Sequence, residues 1–321
     1  MLLEASFAII VGLIILVWSA DRFIDAAAAL ARYLGMSPLL IGILIIGFGT
    51  SMPEMVVSAL SAFNSSPGIA LGNAYGSNIT NIALILGLTA LIKPLVVHGS
   101  VIKKELPILL SVTFLSAYFL LDMKISSLEA YSLLVIFIAY VFWTIWSSKK
   151  QRPSVQAAYE EDTKQQISFK ASAFWLIAGL ILLMLSSQLL VWGAIKVANY
   201  LGVSDLVIGL TVVAIGTSLP EVAASIVAAR KGEVDLAVGN IIGSNLYNTL
   251  AVVGLAGAIM PIEAESKVLS RDMLMMSALT MTLFIFGLIA YKKQHTLGRF
   301  NGLFFFASYV GYTIFLVRTA L

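Results

Sequence analysis

The chain has 321 residues, 60% of them hydrophobic and only 12% charged, with a mean hydropathy of +0.96. Soluble domains carry about a quarter charged residues, so a water-soluble globular fold is excluded. A net charge of +3 and a pI near 9.0 could suit nucleic acid, but in a membrane protein basic residues set topology instead. The absence of cysteine rules out disulfides and thiolate metal sites.

Apolar runs of about 20 residues recur along the whole length, the signature of a polytopic helical membrane protein. Ten spans are predicted, at 5–31, 37–64, 68–92, 104–121, 126–147, 169–198, 204–229, 234–260, 272–291 and 299–317. Nothing alternates over tens of residues, which speaks against a β-barrel. The start, "MLLEASFAIIVGLIILVWSADRF", has no basic leader and reads as an uncleaved first span. Asp21, Arg22 and Asp25, near the end of that span, read as a local ion pair with snorkelling ends. With the N-terminus outside, ten spans put Lys103, Lys104, Lys149, Lys150, Arg152, Arg230, Lys231, Lys292 and Lys293 on the cytoplasmic face. That bias predicts both termini outside.

The one strongly polar stretch, "SSKKQRPSVQAAYEEDTKQQIS", has mixed charge, a proline and no apolar period. It reads as a cytoplasmic linker, 147–168, between a first five-helix half at 1–146 and a second at 169–321. The halves repeat each other with a constant offset of 167 and no gap from about 33 to 105. Gly49, Thr50, Ser51, Pro53, Glu54 and Ser58 match Gly216, Thr217, Ser218, Pro220, Glu221 and Ser225. Gly72, Asn73, Gly76, Ser77, Asn78 and Asn81 match Gly239, Asn240, Gly243, Ser244, Asn245 and Asn248. Copies separated by an odd number of crossings enter the membrane from opposite sides. The fold class is therefore an all-α polytopic protein of two inverted five-helix repeats, an architecture typical of secondary transporters with midplane sites on broken helices.

The repeated residues carry the chemistry. Pro53 and Pro220 remove a backbone donor and free carbonyls near 47–50 and 214–217, where Gly47, Gly49 and Gly216 ease unwinding. Broken backbone survives at membrane depth only against protein, water or an ion. Glu54 and Glu221 begin the second half of each broken helix, and burying both is costly unless a cation relieves them. Ser77 with Asn81, and Ser244 with Asn248, lie four apart on one helical face. Thr50, Ser51, Thr217 and Ser218 add hydroxyls and carbonyls. This all-oxygen set suits hard cations such as calcium and sodium rather than transition metals. Asn78 and Asn245 suit helix packing, and Asn73 and Asn240 suit either role. His98 and His295 fall in loops, so histidine-borne proton coupling has no support at the site. The Met and Phe of the last two spans read as lipid-facing surface.

"GTSMPE" with "GNAYGSNITN", repeated as "GTSLPE" with "GNIIGSNLYN", resembles the two α-repeats of the sodium/calcium exchanger family, in the calcium/cation antiporter superfamily. The resemblance covers essentially the whole chain and looks like a prokaryotic ten-span member. It implies an alternating-access antiporter of the plasma (inner) membrane that exchanges sodium for calcium. It further implies a calcium site of the Glu54 and Glu221 carboxylates with the Thr50 and Thr217 carbonyls. Sodium sites would use Ser51, Ser77, Ser218, Ser244 and the carbonyls of Gly47 and Ala214, with Asn81 and Asn248 lining the central position. In such proteins the first and sixth spans slide against the remaining bundle.

Some relatives carry aspartate where this chain has Asn248, notably the potassium-dependent branch. Two carboxylates neutralise one calcium, and three sodium ions in its place would leave one positive charge. That arithmetic favours electrogenic, potassium-independent exchange. The runner-up is a proton/calcium or other cation antiporter, followed by a passive cation channel, which would need an open multi-ion path. No enzyme is expected, since neither a nucleophile–base pair nor an HExxH site is present. The expected partners are calcium and sodium as transported ions and the lipid bilayer. No cofactor, nucleic acid or obligate protein partner is implied.

Overall fold

The structure is a computed structural model and describes residues 2–160, 168–202, 214–293 and 296–320. It is helical almost throughout. Eight helices are long and apolar enough to cross a membrane, and a bent pair, Pro38–Thr50 with Met52–Phe63, makes a ninth candidate among the described residues. The eight are α1 (Leu2–Leu34), α4 (Gly68–Ile92), α5 (Val101–Asp122), α6 from Ser127, α7 (Phe169–Tyr200), α10 (Val234–Ile259), α11 (Val268–Lys292) and α12 from Arg299. The bent pair is α2 (Pro38–Thr50) and α3 (Met52–Phe63). The span expected at 204–229 lies partly outside the described residues. Its described part is α8 (Ala214–Thr217) and α9 (Leu219–Lys231). His295 also lies outside them.

Two helix contacts organise the bundle. α1 and α7 pack along their length, with Gly193 against the Ala5 carbonyl, Gly12 against Ser186 and Leu190, and Gly179 against Phe23. Rising numbers on one helix meet falling numbers on the other, so these equivalent helices run antiparallel. α2 and α10 instead run parallel and nearly touch backbone to backbone. A Cβ on Gly42 would lie 2.6 Å from the Leu236 carbonyl oxygen, and one on Gly243 would lie 2.8 Å from that of Ile43. Glycine is required at both by this close approach.

Two short antiparallel ribbons tie loops together. Leu95 and Val96 (β1) pair with Leu297 and Thr296 (β4), while Lys124 and Ile125 (β2) pair with Glu263 and Ile262 (β3). The loop after α4 therefore sits beside the loop before α12, and the loop before α6 sits beside the loop after α10.

The polar stretch from 147 is helical where it is described, α6 continuing through Ser127–Glu160 past Pro153. Lys, Gln, Arg, Ala and Glu are good helix formers and need no apolar face in water. Two expectations elsewhere need correction. The aromatic and sulfur side chains near the C-terminus are not all lipid-facing. Met273, Met276 and Phe305 are buried in the main core, whereas Phe300, Phe304 and Phe315 are exposed. Asp21 and Asp25 do not pair locally. Both reach Lys231 at the end of α9, while Arg22 stacks over Trp175, 5.6 Å from its ring centroid.

Candidate functional site

Each broken helix is interrupted at a serine. Ser51 (φ −84°, ψ 3°) separates α2 from α3, and Ser218 (φ −91°, ψ 7°) separates α8 from α9. The first break bends the chain by 42°. Proline then occupies the first turn of α3 and of α9, where its missing N–H is harmless, and a glutamate follows it. Glu54 and Glu221 thus sit at helix N-terminal ends, in the favourable field of the helix dipole. Both are fully or almost fully buried, as are Thr50, Ser51, Ser218, Ser77, Ser244, Asn81 and Asn248. Thr217 is half-buried, Gly47 is buried, and Ala214 heads α8.

Several contacts bring the two motifs together. The Ser51 hydroxyl donates to Glu221 Oε1 at 3.3 Å, joining the first break to the second glutamate. Ser218 Oγ lies 3.5 Å from Ser77 Oγ, and the Ser244 hydroxyl lies 3.5 Å from the Gly47 carbonyl oxygen. Asn81 and Asn248 each fall in a π-helical stretch, Thr80–Leu86 and Asn248–Val252, at equivalent places in the two halves. Such wide turns are frequent at functional sites.

The polar atoms left over define what the site can do. Both carboxylate oxygens of Glu54, Oε2 of Glu221, and the amide oxygens and nitrogens of Asn81 and Asn248 are buried without a hydrogen-bond partner. Buried polar atoms are normally satisfied, because an unpaired one forfeits its hydration. The carboxylate and amide oxygens of this set suit a desolvated cation, whereas the two amide nitrogens are donors that call for an acceptor. Among the described residues no cluster of three or more His, Cys, Asp or Glu could hold a metal.

The asparagines given either role prove to be braces. Asn240 Nδ2 donates to Ser225 Oγ at 2.9 Å and towards the Glu221 carbonyl at 3.4 Å, while its Oδ1 accepts from Thr50 Oγ1 at 3.1 Å. Asn73 Nδ2 likewise donates to Ser58 Oγ at 2.9 Å and to the Glu54 carbonyl at 3.1 Å. Ser58 and Ser225 stand in the repeat, and their joint recurrence with Asn73 and Asn240 was the available signal. Asn78 donates to Thr249 Oγ1 at 2.8 Å and to Met276 Sδ at 3.3 Å, although its Oδ1 and that of Asn245 are buried without a partner. Asn245 bonds back to the Ile241 carbonyl at 2.6 Å.

Two carbonyls expected to be free are engaged. The Gly47 carbonyl accepts from the Ser51 N–H at 3.1 Å, and that of Gly216 accepts from the Ser187 hydroxyl at 2.8 Å. Ser51 is placed to continue the helical ladder, and Ser187 of α7 covers the second break. No sequence spacing singled out Ser187. Beside the site, a cavity of about 430 Å³ is lined in part by Val57, Asn73, Gly76, Thr217, Asp272 and Tyr312.

Comparison with known proteins places this geometry among transporters. A protein of Alkalimonas amylolytica named as the CaxA antiporter is 42% identical over 98% of this chain and 99% of its own length. The inner membrane protein YrbG of Escherichia coli is 38% identical over 93% of this chain and 92% of its own. The solved structure of the sodium-calcium exchanger NCX_Mj superposes with a TM-score of 0.83 at 32% identity, covering 97% of each chain. Residues 5–146 and 171–318 match the family described as sodium/calcium exchanger protein. The chain is a membrane protein of the sodium/calcium exchanger family.

Proposed function

We propose that this antiporter exchanges sodium for calcium by alternating access, through ten spans arranged as two inverted repeats. The observation that carries the reading is the buried set of partnerless oxygens on Glu54, Glu221, Asn81 and Asn248 between two broken helices. Desolvating two carboxylates without compensation is costly, and a divalent cation supplies the compensation in one step. The antiparallel run of α1 and α7 supports the inverted arrangement, as do the two ribbons that join loops in symmetric pairs. The exchange of ions named for NCX_Mj supports the choice of cations.

In this reading calcium is held by the Glu54 and Glu221 carboxylates with the backbone at Thr50 and Thr217. Sodium is held by Ser51, Ser77, Ser218 and Ser244 with the backbone at Gly47 and Ala214, and Asn81 and Asn248 line the centre. With two negative charges, calcium leaves the carrier neutral and three sodium ions leave it positive, so exchange is electrogenic. Asparagine at 248 adds no third charge for potassium to balance. The protein sits in a prokaryotic plasma membrane with both termini outside, and residues 147–168 link two five-helix halves on the inner face.

The test is calcium uptake into proteoliposomes under an imposed sodium, proton or potassium gradient in turn. A sodium gradient alone should drive uptake, and the rate should respond to a clamped membrane potential. Uptake driven only by protons would replace the sodium reading with proton/calcium antiport. Flux without counterflow would replace it with a channel.

A further inference from the structure

The two halves differ in a way that their sequence repeat does not dictate. On α3, Val56, Val57 and Leu60 are 52%, 39% and 55% exposed, while their counterparts on α9, Ala223, Ala224 and Val227, are 8%, 0% and 8% exposed. The reason is α1, which lays Phe23, Ile24, Ala27, Ala28 and Ala31 against that face of α9. Among the described residues, neither hydrophobic cluster joins α7 to α3 in the corresponding way. The cavity walled by Val57, Asn73, Gly76 and Thr217 lies on this uncovered side. One face of the site is therefore shut and the other open.

The shut face is also fastened. Lys231 Nζ lies 2.8 Å from Asp21 Oδ1 and 2.6 Å from Asp25 Oδ1, and it donates to the Asp21 carbonyl at 3.1 Å. Lys231 is the last residue of α9, which Gly232 ends in the left-handed region at φ 87°, so its charge also suits the helix C-terminus. The offset of 167 carries Asp21, Asp25 and Lys231 onto Gln188, Trp192 and Asn64, none of them charged. The offset holds at this depth of α1, where Ser19 and Ser186 make the same bond to a carbonyl three residues back. Among the described residues the open face has no equivalent fastening.

We propose that Lys231, Asp21 and Asp25 form a one-sided ionic latch between α1 and α9, and that these positioning residues set how the carrier divides its time between its two access states. The inference rests on the alternating-access reading above. Exposed ion pairs add little to the stability of a fold. A pair present in only one of two nearly balanced states still shifts their ratio, because only the difference between the states counts. The repeat alone would make the two states near mirror images. The latch breaks that equivalence in favour of the state in which the Lys231 face is closed.

The absence of native cysteine allows single reporters. Val57→Cys reports on the open face and Ala224→Cys on the shut one, each read as the rate of modification by an impermeant maleimide supplied from its own side. In Lys231→Ala and Asp25→Asn backgrounds, labelling at 224 should rise about fivefold and labelling at 57 should fall, the shift expected from losing one exposed pair. Lys231→Arg should restore both rates. A parallel rise at both positions would mean general loosening, and no change at either would mean an idle surface pair. Either result overturns the latch. Labelling needs no ion gradient, so its failure leaves the sodium–calcium reading standing, and a failed flux assay leaves the labelling interpretable.

Discussion

Glu54 and Asn240 show how differently two residues of one motif contribute. Glu54 offers both carboxylate oxygens to the site and bonds none of them to protein. Asn240 has both ends of its amide engaged by protein. It joins Thr50 of one broken helix to Ser225 of the other and so fixes the spacing of the oxygens. Loss of such supporting partners typically lowers metal affinity about 10–100-fold while leaving the binding groups in place. Asn240→Ala should therefore weaken calcium binding by that order, measured by titration of the purified protein, without abolishing it. A variant with native affinity would reduce Asn240 to packing. The burial of the two glutamates was legible because each follows proline inside an apolar span, and the pattern occurs twice. The brace was not, since an asparagine amide serves packing and ion sites equally until its partners are seen.

At the scale of elements, the breaks follow from local chemistry. Proline and glycine interrupt the ladder, serine takes the bridging conformation at each break, and helix resumes with glutamate in its first turn. These features are written in ten consecutive residues and were legible. The π-helical stretches around Asn81 and Asn248 were not, because a widened turn leaves no mark on composition. Nor was the contact of α2 with α10, which depends on glycines almost 200 positions apart. That contact holds the first broken helix against the helix carrying Ser244 and Asn248. Gly42→Ala would place a methyl 2.6 Å from the Leu236 carbonyl and force the pair apart. A cost of about 1–3 kcal/mol from overpacking is expected, seen as a lower melting temperature in detergent. An unchanged melting temperature would mean that the two helices do not meet so closely.

At the scale of the whole molecule, the internal repeat is the basis of the proposed architecture. Matching residues 167 apart, an odd count of crossings and the excess of basic residues on one face together predict opposed halves. What the repeat could not reveal was its breakage, the packing of α1 on α9 and the pairing of Asp25 with Lys231. Those depend on contacts between residues about 200 positions apart that share no local pattern. The proposed topology has a direct check. Cysteines at Ser154 and at the C-terminus should react with an impermeant reagent from opposite sides of the membrane. Reaction from the same side would remove the ten-span arrangement.

The central claim is that Glu54 and Glu221 jointly form a cation site at which sodium competes with calcium. The measurement that meets it most directly is a calcium-binding isotherm of the purified protein at several sodium concentrations, repeated for Glu54→Gln and Glu221→Gln. Native protein should bind calcium at a site that sodium displaces with steeper than linear dependence. Each variant keeps the shape of the site and removes half its negative charge, and each should lose about 3–5 kcal/mol of calcium affinity, as for breaking a buried charge pair. Folding should survive, judged by a single elution peak and a native melting profile. Calcium affinity that stays native in both folded variants, or that ignores sodium, would contradict the account.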